Sequence, residues 1–243
     1  MGNASQTGEQ LDVDNARSFI VYADFNCPFC YALNERLHAM NLELQVEFRP
    51  VQHAPTVSSS QVDFKILREL ASEIAELRRR APSVPINLPL FRPNSRAASA
   101  LVNAIHGSNP IKAVQLRRHI FQAFWINGED ISDARVLDQL LKDLEIVAPD
   151  EAALRASELD TWQDAWDSNP EFDHSIPVLI SGSGEIVTGF PLEPELDAFL
   201  QTGSMVSDQP AAVIGEQIER QRILVLDDDV QSLQMIMAQM RDV

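Results

Sequence analysis

Asp24-Phe25-Asn26-Cys27-Pro28-Phe29-Cys30-Tyr31 holds both cysteines of this 243-residue chain, with two residues between them. Phe19-Ile20-Val21-Tyr22-Ala23 before it is continuously apolar and reads as a buried strand, predicted from Arg17 to Ala23. Pro28 to Met40 after it places Phe29, Leu33, Leu37 and Met40 at helical spacing. A Cys-x-x-Cys at a strand-to-helix junction is a redox arrangement with a mechanism. The first cysteine meets the unpaired N–H groups and the positive dipole end of the helix, which favour a thiolate. The second lies one turn in, close enough to form a disulfide with the first. Exchange chemistry needs Cys27 as an exposed nucleophile and Cys30 as a buried resolving thiol. Pro28 suits the first turn because it has no N–H to lose. Phe29 brings neither charge nor hydrogen bond to the pair.

Zinc is the other common use of such a pair. It wants four ligands, usually two such pairs or added histidines at fixed spacing. The five histidines, His38, His53, His106, His119 and His174, are scattered, and each reads as a surface or packing residue. No metal is therefore expected. Asp24 reads equally as a cap of the turn and as an influence on proton transfer from Cys30.

Working outward, Leu44-Gln45-Val46-Glu47-Phe48 alternates and predicts a second strand, closing a right-handed βαβ unit. A helical region follows. Val62–Arg80 carries Phe64, Leu67, Leu70, Ile74 and Leu77 on one stripe and ends in Arg78-Arg79-Arg80, a cationic C-terminus. Pro82, Pro85, Pro89 and Pro93 make an extended loop. Asn94-Ser95 caps a helix to about His106, and Pro110 opens one to about Trp125. Ser132 or Asp133 caps another to about Leu144, and Pro149-Asp150 opens the last, through about Trp166. Trp125, Trp162 and Trp166 fall at core positions of these helices. Strands return in Ser175–Ile180 and Glu185–Gly189 around Ser181-Gly182-Ser183-Gly184, a hairpin, and Pro194–Gln201 is a short amphipathic helix.

The order is βαβ, an all-helical insertion over about 56–170, then ββα: an α/β chain with thioredoxin topology. Residues 17–201 resemble the DsbA family, nearest its branch that includes the FrnE-like proteins and 2-hydroxychromene-2-carboxylate isomerases. The resemblance rests on residues 24–31, on Pro93-Asn94-Ser95-Arg96-Ala97-Ala98, on Phe121 to Ile131, on Ile176-Pro177 and on Thr188-Gly189-Phe190-Pro191. It implies a thiol–disulfide oxidoreductase in which Cys27 and Cys30 are catalytic. It also implies that Pro28, Phe29, Ile176 and a cis-Pro177 bind substrate, with the Ile176 backbone pairing an extended peptide. The redox group is then the Cys27–Cys30 disulfide itself, with no separate cofactor beyond glutathione. The strongest oxidants of the family resemble Cys-Pro-His-Cys. Phe29 replaces that histidine here, which implies a thiolate less acidic than theirs.

Residues 1–16 are polar and read as a disordered N-terminus, and 202–221 as a linker. Arg222-Ile223-Leu224-Val225-Leu226-Asp227-Asp228-Asp229-Val230 resembles the opening strand of a response-regulator receiver domain, with Ser232–Met240 as its first helix. Residues 222–243 are too short for the whole domain and read as a truncated piece of it. That segment implies a downstream signalling domain. Its apolar strand needs cover, on the first domain or on a second copy in a homodimer.

Composition narrows the partners. Apolar residues reach 45%, enough for a sizeable core, and the formal net charge of −17 argues against nucleic acid and anionic membranes. No apolar run approaches a membrane span and no secretory signal is evident, so a cytoplasmic chain acting on thiol or disulfide proteins is expected. Two other functions fit the same residues. One is a glutathione-dependent isomerase or transferase, although such enzymes typically carry serine where Cys27 stands. The other is a non-catalytic redox-sensing module.

Overall fold

The computed structural model describes residues 19–54, 63–155 and 158–205. The chain divides into two units, Met1–Ser204 and Met205–Val243. The polar N-terminus, most of the linker and the receiver-like 222–243 segment lie outside the described residues.

The order of elements is β1 (Phe19–Ala23), α1 (Pro28–Ala39), a 3₁₀ turn (Glu43–Gln45), β2 (Val46–Pro50), α2 (Phe64–Arg80), α3 (Arg96–Ser108), α4 (Pro110–Trp125), α5 (Ala134–Asp143), α6 (Glu151–Arg155), α7 (Leu159–Ser168), β3 (Val178–Ile180), β4 (Ile186–Thr188) and α8 (Glu193–Thr202). The sheet runs β2-β1-β3-β4. β1 pairs parallel with β2, Phe19 opposite Val46, and antiparallel with β3, Tyr22 opposite Val178. β3 and β4 form the expected hairpin. This is the thioredoxin topology, with six helices between β2 and β3 among the described residues.

The apolar run of β1 follows from cover on both faces. On one face Phe19 stacks on Phe199 of α8, ring centroids 5.8 Å apart. On the other, Tyr22 joins Val51, Trp166, Phe172 and Val178 in a core that Ile20, Trp162 and Ile176 also touch. Trp125 is fully buried and its indole Nε1 donates to the carbonyl of Phe25, 2.9 Å away. Trp125 and Trp166 are thus core residues, as expected, and Trp162 is partly buried against that core.

Several boundaries differ from expectation. β2 starts at Val46 and runs to Pro50, because its register is set by β1; Leu44 falls in the 3₁₀ turn and is exposed. On α2, Leu70, Ile74 and Leu77 are buried, whereas Phe64 in its first turn is exposed. Ser95 precedes α3 but makes no cap bond; Asn94 Oδ1 instead accepts the N–H of Arg96 at 2.9 Å. The single helix predicted through Trp166 is two, α6 and α7. The arginines that end α2 grip loop carbonyls: Arg78 donates to Ile86 O in the loop that follows, and Arg80 to Phe190 O far along the chain. Among the described residues no helix is long and apolar enough to cross a membrane.

Candidate active site

Asp24 to Asn26 carry the chain from the end of β1 to the start of α1. The carboxylate of Asp24 shapes this turn: Oδ1 accepts the N–H of Asn26 at 3.2 Å, and the Asp24 carbonyl accepts the N–H of Cys27 at 3.2 Å. The turn leaves Cys27 as the N-cap of α1, with Pro28 at its first position and Cys30 one turn in. Both thiols are free.

The two sulfurs differ electrostatically. Burial works to raise the Cys27 thiol, but hydrogen bonding from the Cys30 thiol, the nearby His53 and the Cys30 N–H outweigh it. Cys27 is therefore held below an ordinary thiol. Burial, then the hydrogen bond that the Cys30 thiol gives Cys27, then the negative charge on Cys27, push Cys30 well up. Cys30 also accepts the main-chain N–H of Asp24 at 3.4 Å. The expected exposure of Cys27 is not found, since Cys27 is 3% exposed and Cys30 2%. The loop before α3 provides the physical reason. It is tied onto the turn by Asn26 Nδ2 donating to Pro93 O at 3.0 Å and by Arg92 donating to Asn26 O at 2.9 Å.

Pro28 is buried at the helix start. Phe29 is half-buried and lies against Phe190, centroids 6.3 Å apart, which joins α1 to the segment after β4. The Ile176–Pro177 bond is cis. Pro177 is buried one residue before β3, at the end of the sheet from which the cysteine turn departs, and its carbonyl accepts the N–H of Gly189 at 2.8 Å. The Ile176 side chain points into the Tyr22–Trp166 core, so only its main chain remains for an extended partner.

The sequence reading missed His53. It follows β2 in the loop beside the turn, and Asp24 Oδ2 accepts both its backbone N–H (3.0 Å) and its ring Nδ1–H (2.8 Å). Arg92 Nη1 lies 3.1 Å from the other ring nitrogen, and Arg92 Nη2 makes a bidentate pair with Glu73 at 2.7 and 2.8 Å. Burial disfavours the charged ring, yet the bond and the charge of Asp24, then Cys27, raise His53 above its usual value. Burial likewise disfavours the Asp24 anion, but His53, with support from Ser95 and the Asn26 N–H, holds it below the usual carboxylate range. Asp24 thus shapes the turn and also joins the electrostatics of the pair. The one signal that pointed to His53 was its place just past a strand parallel to β1. Residues following parallel strands gather at the same sheet end.

The sequence matches the family described as DSBA-like thioredoxin domain over residues 19–165. Among solved structures, a candidate protein disulfide isomerase from Nitrosomonas europaea superposes with a TM-score of 0.58 at 18% identity, covering 78% of this chain and 100% of that one. A candidate DsbA oxidoreductase from Streptomyces coelicolor gives 0.57 at 13% identity, covering 80% and 93%. A 2-hydroxychromene-2-carboxylate isomerase gives 0.51 at 18% identity, covering 85% and 98%. These likenesses show the fold. A search of curated proteins returns no match.

Proposed function

The chain belongs to the DSBA-like thioredoxin domain family, and on that premise we propose that it is a protein thiol–disulfide oxidoreductase whose redox group is the Cys27–Cys30 couple. The observation that carries this reading is the asymmetry of the pair: one helix-capping thiol pushed down and its partner, one turn in, pushed up. The Cys27 thiolate attacks a protein disulfide and forms a mixed disulfide, releasing one substrate thiolate. Cys30 then loses its proton and attacks Cys27 Sγ, releasing the second thiolate and closing the Cys27–Cys30 disulfide. Run backwards, the same steps oxidise a dithiol. Phe29, half-buried beside Cys27, and the main chain of Ile176 before Pro177 form the surface offered to the substrate peptide, whereas Pro28, expected to share that role, is buried and shapes the helix start instead. The glutathione-dependent reading is less favoured because a cysteine with a lowered pKa occupies position 27. A link to signalling, as a redox-sensing module or through a homodimer, rests on the resemblance of residues 222–243 alone.

Insulin reduction with dithiothreitol tests the proposal. The chain is expected to accelerate precipitation of the insulin B chain. Cys27→Ser is expected to abolish this, and Cys30→Ser to accumulate a mixed disulfide with substrate. Wild-type chain no faster than dithiothreitol alone refutes the reading.

A further inference from the structure

His53 is held at both ring nitrogens, with its side chain 22% exposed. Its backbone N–H and ring Nδ1 both meet Asp24 Oδ2, Arg92 Nη1 faces Nε2, and Glu73 of α2 holds Arg92 in place. A ring between a carboxylate and a guanidinium carries its proton on Nδ1 and its lone pair on Nε2. A second proton, on Nε2, must displace Arg92 Nη1, which keeps the Asn26 carbonyl as its acceptor. The charged groups that act on the ring are Asp24, whose carbonyl also accepts the Cys27 N–H, Cys27 itself through its charge, Arg92 from the loop before α3, and Glu73 behind Arg92. Of these, Cys27 changes charge in the redox cycle, being neutral in the disulfide and an anion in the reduced pair.

We propose that His53 is a positioning residue for the couple: its ring gains a proton when Cys27 becomes a thiolate and releases it when the disulfide re-forms. This rests on the thiol–disulfide reading. The step balances. A donor dithiol, R(SH)₂, passes two electrons to the Cys27–Cys30 disulfide and becomes a disulfide itself. Of its two protons, one ends on Cys30 Sγ and the other on His53 Nε2, leaving the Cys27 thiolate beside an imidazolium. Without His53 the second proton goes to solvent. The imidazolium supplies, from another part of the chain, a cation that the intervening Pro28-Phe29 dipeptide lacks.

Two measurements test the inference. The first is an NMR titration of the His53 ring in the oxidised and the reduced wild-type chain. The midpoint is expected to be higher in the reduced chain, and equal midpoints overturn the proposal. The second uses His53→Gln, whose amide can donate to Asp24 and accept from Arg92 but takes no proton. Its Cys27 thiolate titration is expected to move up by about one pH unit, a tenfold loss of thiolate below the midpoint. Its reduction potential in glutathione buffers is expected to fall tenfold in equilibrium constant, about 30 mV for a two-electron couple. Over the interval between the two ring midpoints, its potential is also expected to vary less steeply with pH by one proton, about 30 mV per unit. An unchanged Cys27 midpoint in a folded variant overturns the proposal, and if the variant does not fold the wild-type ring titration decides. Insulin reduction separates the two readings. Expected titrations in a chain that does not accelerate precipitation support the His53 coupling and refute the oxidoreductase function. Rapid turnover with equal ring midpoints does the reverse.

Discussion

The main-chain N–H of Asp24 donates to the Sγ of Cys30 across 3.4 Å, while the carboxylate of the same residue binds His53. One residue thus touches the resolving thiol through its backbone and the group beside the nucleophile through its side chain. The two sulfurs are expected to separate in a labelling experiment. With iodoacetamide, the reduced chain is expected to lose Cys27 with a midpoint below the free-thiol value of about 8.5. Both sulfurs are buried alike, so the difference rests on charge: Cys30, whose thiol is pushed well up, is expected to react far more slowly than Cys27 at neutral pH. Peptide mapping by mass spectrometry distinguishes the two, and comparable labelling of both at neutral pH contradicts the assignment.

Asp24→Asn is expected to lower stability. The Asp24 carboxylate, fully buried, accepts three hydrogen bonds, two of them from His53. Bonds to a charged acceptor contribute about 1.5–3 kcal/mol each, so a loss of roughly 2–4 kcal/mol is expected from urea unfolding. The pH dependence has a sign. The folded pKa of Asp24 is lowered, so its contribution is complete above the unfolded value of 3.8 and is lost as pH falls through the folded one. The folded pKa of His53 is raised, so its contribution is complete below 6.5 and is lost as pH rises through the folded one. The gap between wild type and Asp24→Asn is therefore widest between these two values. A gap that keeps growing above pH 8 contradicts this account.

Arg117 shows how a buried charge behaves when no carboxylate bonds it directly and Glu43 helps only through its charge. It is 3% exposed; Nε donates to Asn34 Oδ1 at 2.9 Å, the guanidinium lies 4.8 Å from the Phe48 ring, and Nη2 has no partner. Burial pulls Arg117 down to about 10. Replacing such a group together with its partner by apolar residues of similar volume is often neutral or stabilising, whereas removing one partner strands the other. Arg117→Met with Asn34→Leu is expected to equal or exceed wild type by up to roughly 2 kcal/mol. Arg117→Met alone is expected to fall below the double variant. A thermal-melt series of the singles and the double orders them.

Trp125→Phe probes the support beneath the cysteine turn. Phenylalanine keeps most of the ring but loses the Nε1–H that pairs the Phe25 carbonyl. An unsatisfied buried acceptor costs about 1–3 kcal/mol, read as a lower urea midpoint at unchanged slope. A midpoint within error of wild type places a water at that carbonyl.

The sequence carried the fold through local signals. The cysteine turn, the buried strand before it, the hairpin and the proline-opened helix α4 all follow from patterns a few residues long. The cis-Pro177 was legible through its resemblance, since its neighbours alone permit a trans bond. Three features were not legible. His53 read as a surface or packing residue because its partners, Asp24 and Arg92, lie 29 and 39 positions away in sequence. The low exposure of Cys27 depends on Asn26–Pro93 and Arg92–Asn26 contacts that no periodicity encodes. The start of β2 was displaced because register is a property of the pair, and Leu44 belongs to the alternating pattern without belonging to the ladder.

The helical block between β2 and β3 has a consequence in time. β1 needs β3 at its side, yet about 150 residues separate Cys27 from Pro177. At synthesis rates of roughly 5–20 residues per second, the ribosome takes on the order of 10–30 s to deliver the second after the first. Through that interval the nascent chain carries both thiols with the opposite edge of β1 uncovered. The nucleophile is made long before the structure that disciplines it.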